Sequence, residues 1–358
     1  MVIAHSMSVP SANFESLDDG TLKHILSFVE PGTYALACCT RDIRRLYPWP
    51  RETDWTAVLC GDNPACMSLA LQWGASEHMA CPAAATSGAL ECLKRARDAG
   101  CHWNEDTCSW AAAGGHLDVL QWAWEQGCRW DERTCAEAAA RGHLDVLQWA
   151  RGQECPWDEQ TCALAAKEGH LDILQWAHGQ GCPWDEDTCT YAAQNGHLNV
   201  LMWARGQRCP WDNRTCFCAA AGGHFGVLQW AWRQGCPWDE MTSMCAAGEG
   251  HLEVLQWARG QGCPWDANTC SCAALEGHLE VIQWAREQGC PWDENTCMGA
   301  AGRGHLEVLQ WARRQACPWD RWTCSMAAKR GHLEVLQWAR GQVCPWDVDT
   351  HSVSPGTT

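Results

Sequence analysis

Histidine and cysteine, which are common zinc ligands, recur along this chain at one fixed period. A histidine that follows glycine returns nine times at intervals of 27 residues, from His116 to His332. Cysteine recurs at two further places in the same period, as in the Thr-Cys step at Cys135 and the Cys-Pro-Trp step at Cys155. Zinc sites usually contain close Cys-x-x-Cys pairs, whereas Cys135 and His143 are eight residues apart. The spacing therefore predicts neither a metal site nor another cofactor.

The sequence also lacks the motifs and the charge that several kinds of function require. It contains no glycine-rich phosphate loop, no Gly-x-Ser-x-Gly elbow and no His-Glu-x-x-His segment, which argues against an enzyme. A net charge of −17 argues against nucleic-acid partners and anionic membranes. No apolar run approaches the ~20 residues of a membrane span, and the N-terminus has no secretory signal. We expect a non-enzymatic intracellular protein, cytoplasmic or nuclear, whose 27 cysteines are mostly buried, reduced thiols.

Each period predicts two short helices joined by tight turns. In one unit, Asp131 precedes a helical pattern, where its carboxylate can cap free backbone N–H groups. The first helix is expected over 132–141, with the small residues Cys135 and Ala138 on one face, so that a neighbouring helix approaches closely. Gly142 is expected to end this helix, because glycine accepts a left-handed backbone at low cost.

The second helix is expected over 144–152 and is apolar around most of its circumference. Such a helix should be enclosed by its neighbours, with Arg151 left in a polar row. The step Cys155-Pro156-Trp157 should then stop the helix and turn the chain. Two tryptophans recur in the regular units, for example Trp149 and Trp157, and we expect them in the core between units rather than in an exposed binding stripe. The Gly-His histidines are expected to donate a ring N–H to backbone carbonyls of the adjacent unit.

Units of this kind must stack to bury their apolar faces, which predicts an all-α helical-hairpin solenoid. The recurring pattern TCxxAAxxGHLEVLQWAxxQG resembles the ankyrin repeat within residues 80–350, where one degenerate unit precedes nine regular ones. The ankyrin period is about 33 residues, so the β-hairpin fingers between units are expected to be mostly missing. The proline and histidine of the ankyrin Thr-Pro-Leu-His signature are also replaced. A generic helical-hairpin solenoid is the alternative.

The segment 14–50 differs from the repeats. Within it, SLDDGTLKHILSFVEPGTYALACCTRDIRRL resembles an F-box, a helical motif that docks on the Skp adaptor of a cullin–RING ubiquitin ligase. Asp18 stands where that family usually has proline, and Ile43 where it often has tryptophan. An F-box-like segment ahead of short repeats is similar to the ankyrin-repeat F-box proteins of giant viruses and protists. The alternative is a helical hairpin that only caps the array. The resemblance implies docking through Leu17, Leu22, Ile25, Leu26, Phe28 and Leu46.

The remaining segments complete the predicted domain organisation. Residues 1–13 and 351–358 are expected to be disordered, and residues 51–79 are expected to form a helical linker that packs between the two parts. The last regular helix, which contains Leu333 and Trp338, is followed only by the beginning of another unit. We expect an exposed apolar end there, suited to self-association.

Comparison of the units within the chain separates constant positions from variable ones. The variable positions cluster on the first helix, and their mixture of aromatic, Met and Arg residues is typical of protein interfaces. Unconstrained surface variation is the alternative explanation. The sequence therefore predicts a non-enzymatic adaptor whose repeats capture a target protein, with a plain scaffold lacking a ligase link as the alternative. The predicted partner-binding residues are Trp110, Arg133, Glu137, Arg141, Leu164, Tyr191, Arg214, Phe217, Met241, Met244, Met298, Trp322 and Met326.

Overall fold

The computed structural model describes the backbone of residues 77–345 and the side chains of residues 80–345. Within this range the chain forms twenty α-helices and no strand. It divides into two compact units, Met1–Trp157 and Asp158–Thr358. Short helices alternate with tight turns in both units. The predicted all-α helical-hairpin fold is thus confirmed, and residues 77–345 contain no β-hairpin finger.

The described part of the first unit contains three helical hairpins, in each of which an odd-numbered helix packs against the even-numbered helix that follows it. We call the odd-numbered helices first helices and the even-numbered helices second helices. The hairpins are α1 Glu77–Ser87 with α2 Leu90–Asp98, α3 Glu105–Ala113 with α4 Leu117–Glu125, and α5 Glu132–Ala140 with α6 Leu144–Gly152.

The described part of the second unit contains seven hairpins of the same design. They are α7 Glu159–Lys167 with α8 Leu171–Gly179, α9 Glu186–Gln194 with α10 Leu198–Gly206, α11 Asn213–Ala221 with α12 Phe225–Arg233, α13 Glu240–Gly248 with α14 Leu252–Gly260, α15 Ala267–Glu276 with α16 Leu279–Glu287, α17 Glu294–Arg303 with α18 Leu306–Arg314, and α19 Arg321–Lys329 with α20 Leu333–Gly341.

The first helices begin and end as the sequence predicts. At the start of α5, the carboxylate of Asp131 accepts a hydrogen bond from the backbone N–H of Arg133 at 3.1 Å. The equivalent aspartate caps every first helix from α7 to α19, and such a cap is worth about 1 kcal/mol. Beyond the end of α5, Gly142 is left-handed with φ 84°, and the N–H of His143 donates to the carbonyl of Ala138 at 2.9 Å.

The second helices end where the sequence predicts, and a left-handed residue follows the end, as in α6. Helix α6 stops at Gly152, and Glu154 then adopts a left-handed backbone with φ 62°. The N–H of Cys155 donates to the carbonyl of Ala150 at 3.0 Å. This pattern satisfies the last free carbonyls of the helix before the chain reaches Pro156. The predicted end at Gly152 is confirmed, and the left-handed turn at Glu154 closes the helix before the chain reaches the Cys155-Pro156-Trp157 step.

Small side chains of the first helices form the centre of each unit. In α9, Thr188, Cys189 and Ala192 are fully buried. Within each unit, successive first helices pack directly against one another, whereas a second helix packs mainly on the first helix of its own hairpin. In α10 only Val200, Leu201 and Ala204 are buried.

The prediction that neighbours would enclose the second helix was therefore wrong. The close helix contacts are made by the small residues of the first helices, which leaves one side of each second helix toward solvent. The tryptophan of α10, Trp203, is consequently half-buried rather than enclosed.

The Gly-His step joins neighbouring hairpins at this centre. The Nε2–H of His251 donates to the carbonyl of Ala221, at the end of the preceding first helix, over 3.0 Å. Gly223 beneath it has φ 68°, and a Cβ atom there would lie 2.6 Å from the His251 ring. Glycine is therefore required both by the backbone and by the close approach of the imidazole. The predicted bond to the adjacent repeat is confirmed, and it recurs at His116, His143, His197, His305 and His332.

The threonine of the Thr-Cys step is fully buried, and its hydroxyl has no hydrogen-bond partner among the described residues. Its backbone N–H is satisfied, for example by the Asp293 carbonyl for Thr296 at 3.1 Å. A buried hydroxyl without a partner costs free energy. The methyl group therefore accounts for the packing, and the hydroxyl contributes nothing to it. The hydroxyls concerned belong to Thr107, Thr134, Thr161, Thr188, Thr215, Thr242, Thr269, Thr296 and Thr323.

We predict that Thr296→Val leaves the free energy of unfolding unchanged or raises it by about 1 kcal/mol, because an unpaired hydroxyl is replaced by a methyl group of the same shape. The matched variant Thr296→Ser loses the methyl group and should lower it by about 1 kcal/mol. Urea unfolding of both variants measures the difference. A larger loss for valine than for serine would contradict the packing role of the methyl group.

Candidate interaction surface

The predicted partner-binding residues occupy a few recurring positions on the first helices, and together we call these thirteen side chains the first-helix strip. The position directly before the Thr-Cys step (Thr-Ser in α13) holds Arg133, Arg214, Met241 and Trp322. The position directly after this step holds Phe217, Met244 and Met298. The next position holds Trp110, Glu137, Leu164, Tyr191 and Met326. Arg141 follows the end of α5.

Exposure divides the first-helix strip into two groups. Trp110 and Trp322 are the most exposed apolar members, at 45% and 52%, and Arg133 and Arg141 are also exposed. Most side chains of the strip are therefore half-buried, whereas the indoles of Trp110 and Trp322 are exposed. The half-buried members are Glu137, Leu164, Tyr191, Arg214, Phe217, Met241, Met244, Met298 and Met326.

When one of the two positions after the Thr-Cys step holds a large side chain, the other holds a small one. Phe217 is followed by the small Cys218, whereas the large Tyr191 is preceded by the small Thr190. Met244 and Met298 follow the first pattern, with Cys245 and Gly299 behind them, and Leu164 follows the second. Consecutive residues of a helix point about 100° apart. In the second unit the strip therefore consists of two adjacent columns rather than one.

We call the column that lies three residues after the threonine, such as Met326 after Thr323, the outer column. It packs against the preceding hairpin. A Cβ atom added at Gly302 of α17 would lie 3.4 Å from the Cβ of Met326 in α19. A Cβ atom at Gly248 of α13 would likewise lie 3.4 Å from that of Cys272 in α15. Side chains in this column are half-buried because they fill the groove between two first helices. Substitutions there alter the packing between hairpins as well as any binding surface.

Arg214 of the strip bridges two hairpins of the second unit. Its guanidinium lies 2.6 Å from the Asp187 carboxylate of the preceding hairpin, 2.8 Å from Asp212 and 3.3 Å from Glu186. The hydrogen bonds with Asp212 and Asp187 raise the pKa of Arg214, against a smaller opposing effect of burial. Its charge is thus compensated within the array and is not free for a partner.

Arg133 makes the equivalent contact in the first unit. It lies 2.8 Å from Asp106 and 2.9 Å from Asp131. Asp106 and Arg133 occupy the same repeat position one period apart, as Asp187 and Arg214 do. Arg133 and Arg214 thus have partners inside the protein, and the complementary charge one period earlier is the sequence signal that would have revealed them.

The recurring tryptophans form edge-to-face pairs in at least eight of the ten described hairpins. Trp265, before α15, and Trp284, in α16, have ring centroids 6.0 Å apart at 67°. Both pack on the buried Cys270, Ala285 and Cys290. The indoles are half-buried, so the prediction of tryptophans in the core was wrong. Cysteine and alanine fill the centre, and the indoles cover it from outside.

In the second helices from α2 to α18, a planar side chain packs on the ring of the tryptophan that precedes the next first helix. The guanidinium of Arg205 lies 4.0 Å above the ring of Trp211, and the ring of His178 lies 3.8 Å from that of Trp184. This position holds only Arg, His or Trp, which was the unused sequence signal. Arg151, predicted in a polar row, stacks in the same way on Trp157 at 4.0 Å. Each contact is worth about 0.5–1 kcal/mol and links neighbouring hairpins.

The cysteines follow the predicted pattern of buried thiols with two kinds of exception. Cys218, Cys245 and Cys272 are half-buried members of the outer column. Cys324 and Cys344 in the last described hairpin form a disulfide, because they lie next to each other at the two ends of the hairpin. Within residues 77–345, no group of three His, Cys, Asp or Glu side chains is placed to hold a metal ion.

Other predictions concern the two ends of the chain. The F-box-like docking residues lie outside the described residues. Near the other end, Leu333 is 55% exposed, whereas Val335 and Leu336 of the same helix are buried. Self-association through this end stays a prediction. None of the helices in residues 77–345 is long and apolar enough to cross a membrane.

Comparison with known proteins finds likeness in structure but not in sequence. No protein-family model and no curated protein matches the chain. The crystal structure of the human ASB11 ankyrin repeat domain covers 49% of this chain and 96% of its own length. Its TM-score is 0.40 and its sequence identity is 15%.

We predict that the Asp187–Arg214 pair couples two hairpins weakly. In a double-mutant cycle with Asp187→Asn and Arg214→Met, the interaction free energy should be about 0.5–1 kcal/mol, because both side chains keep contact with solvent. It should fall as salt is raised. Urea unfolding at two salt concentrations measures it. As a control, Arg233→Met should leave stability unchanged, since Arg233 makes no ion pair among the described residues. A coupling that ignores salt would contradict this assignment.

Proposed function

We propose that this protein is a non-enzymatic protein–protein interaction adaptor whose repeats bind a target through the first-helix strip. The exposure of Trp110 and Trp322, at 45% and 52%, carries the proposal. Their positions hold other residues in other hairpins, so the fold does not require tryptophan there. Aromatic residues of this kind are the usual anchors of protein interfaces.

The constant polar residues support binding rather than catalysis. The recurring aspartates and histidines have structural tasks. The aspartates cap helices, as Asp239 does for the N–H of Met241 at 3.1 Å. The histidines bond to backbone carbonyls, as His305 does to Leu275 at 3.1 Å. What remains for function is the variable surface.

The segment 14–50 gives the adaptor its second arm in this proposal. Its resemblance to an F-box supports docking on the Skp adaptor of a cullin–RING ubiquitin ligase, so that a target held by the repeats is brought to the ligase. The alternative is a plain scaffold in which this segment only caps the array. Binding to purified Skp adaptor distinguishes the two.

Trp110→Ala and Trp322→Ala should abolish capture of the target without unfolding the array. Each removes an exposed anchor that makes no contribution to the centre of a unit, and loss of such an anchor typically costs about 2 kcal/mol or more of binding. Pull-down from a eukaryotic lysate with quantitative mass spectrometry identifies the proteins that both variants lose. Met202→Ala is the matched control, because Met202 is 49% exposed but lies on the second helix α10. Capture that is equal for all variants would refute the binding role of the strip.

The full-length chain should bind purified Skp adaptor, and Leu26→Ala with Phe28→Ala should lower that binding at least about tenfold, as expected for loss of two apolar anchors. Trp322→Ala should bind the adaptor like the unchanged protein, since it alters only the repeats. Size-exclusion chromatography and calorimetry measure the complex. Absence of binding by the unchanged protein would leave the plain scaffold as the function.

A further inference from the structure

Every described hairpin but one carries a pair of buried cysteines at its two ends. The first cysteine lies near the start of the first helix, in the Thr-Cys step except at Cys81, which follows Ala80. The second cysteine lies twenty residues later, after the second helix. Two helices and the turn between them are thus enclosed by two thiols. The pairs are Cys81 with Cys101, Cys108 with Cys128, Cys135 with Cys155, Cys162 with Cys182, Cys189 with Cys209, Cys216 with Cys236, Cys270 with Cys290, Cys297 with Cys317 and Cys324 with Cys344.

The members of a pair lie next to each other. The thiol of Cys81 lies 3.9 Å from the backbone carbonyl of Cys101, and the thiol of Cys216 lies 4.0 Å from the backbone carbonyl of Cys236. Cys324 and Cys344 form a disulfide, with Cα atoms 6.9 Å apart. Cα atoms more than about 7 Å apart cannot be bridged without backbone movement. The hairpin geometry therefore falls just within the reach of a disulfide.

One hairpin carries a natural substitution of this pair. In α13 the first position is Ser243, whose hydroxyl lies 3.4 Å from the Sγ of Cys263. Cys263 is fully buried, as its equivalents are. Serine occupies the position without disturbing the hairpin, so thiol–thiol contact is not required for folding. The pairs in the other hairpins are thus free to change their chemical state.

We infer that each cysteine pair is a modification site, a dithiol that low-molecular-weight disulfides such as oxidised glutathione convert into a disulfide within one hairpin. A thiolate of the pair attacks a glutathione sulfur and releases one glutathione thiolate. The second cysteine, deprotonated in turn, attacks the mixed disulfide and releases the other. The pair loses two electrons and two protons, and the glutathione disulfide is reduced to two glutathione thiols.

Burial sets the conditions for this reaction. Burial raises the pKa of Cys81 to about 12. The hydrogen bond that the Cys155 thiol donates to Cys135, followed by burial, also raises the pKa of Cys155 above its usual value. Because the thiolate is the nucleophile, the closed hairpin reacts slowly at neutral pH. Oxidation therefore proceeds through local opening or during folding, and the product closes a loop that resists reopening.

The test refolds the full-length protein in a mixture of oxidised and reduced glutathione. Free thiols are then alkylated, and the linked peptides are mapped by mass spectrometry. Links twenty residues apart within hairpins are expected, with Cys263 left alkylatable or bound to glutathione. Links mainly between different hairpins, or a folded protein in which all thiols stay alkylatable, would overturn the inference.

The variant Ser243→Cys supplies the missing pair, and Ser243→Ala is its matched control. In oxidant, Ser243→Cys should form a link to Cys263, and its thermal midpoint should rise above that of the unchanged protein. In reductant the two midpoints should coincide. Ser243→Ala should show no redox-dependent difference from the unchanged protein. If Cys263 stays unlinked in Ser243→Cys, or joins a cysteine of another hairpin, the pairing geometry is wrong.

Discussion

Close contact between successive first helices is the constraint on which the rest of each unit depends. It is possible because these helices meet through small side chains, such as Thr188, Cys189 and Ala193, which are fully buried. Larger residues there would cost about 1–3 kcal/mol each through overpacking. The histidine bond depends on the same contact, since the His251 ring reaches the Ala221 carbonyl at 3.0 Å only while the hairpins stay this close. Large side chains are therefore excluded from the contact between successive first helices.

The tryptophans follow from that exclusion. A centre of Ala, Cys and Thr removes little apolar area from water per residue, and half-buried indoles on the outer side supply the remainder. Stacking of Arg205 on Trp211 then joins one hairpin to the next on the outside, as the histidine bond does at the centre. Both links join one hairpin to the next. Within each unit the free energy of unfolding is therefore close to a sum of hairpin and interface contributions.

Features that depend on residue type and on the repeat period were predicted from the sequence. The cap at Asp131, the left-handed Gly142 and the bond of His143 to the neighbouring unit depend on residue type and period, and all three were predicted. Periodicity shows that a position is constant but not whether burial or stacking keeps it so. Arg151 therefore reads as a surface residue although it stacks on Trp157. The left-handed backbone of Glu154 could not be predicted, because glutamate as a residue type does not indicate that conformation. The N-terminal segment and the binding role of the strip remain predictions.

Nearest-neighbour stability also explains why the variable positions are concentrated on the first-helix strip. Trp322 occupies the repeat position that Asn295 holds one hairpin earlier, and both helices begin with the same aspartate cap. The centre of the unit is unaffected by the exchange, because Thr323 and Cys324 beside the tryptophan are as buried as their equivalents. An indole that is 52% exposed gains little from the fold that an asparagine does not. In the adaptor proposed above, the benefit of the indole comes from contact with the target, and the fold leaves this position open to such a residue.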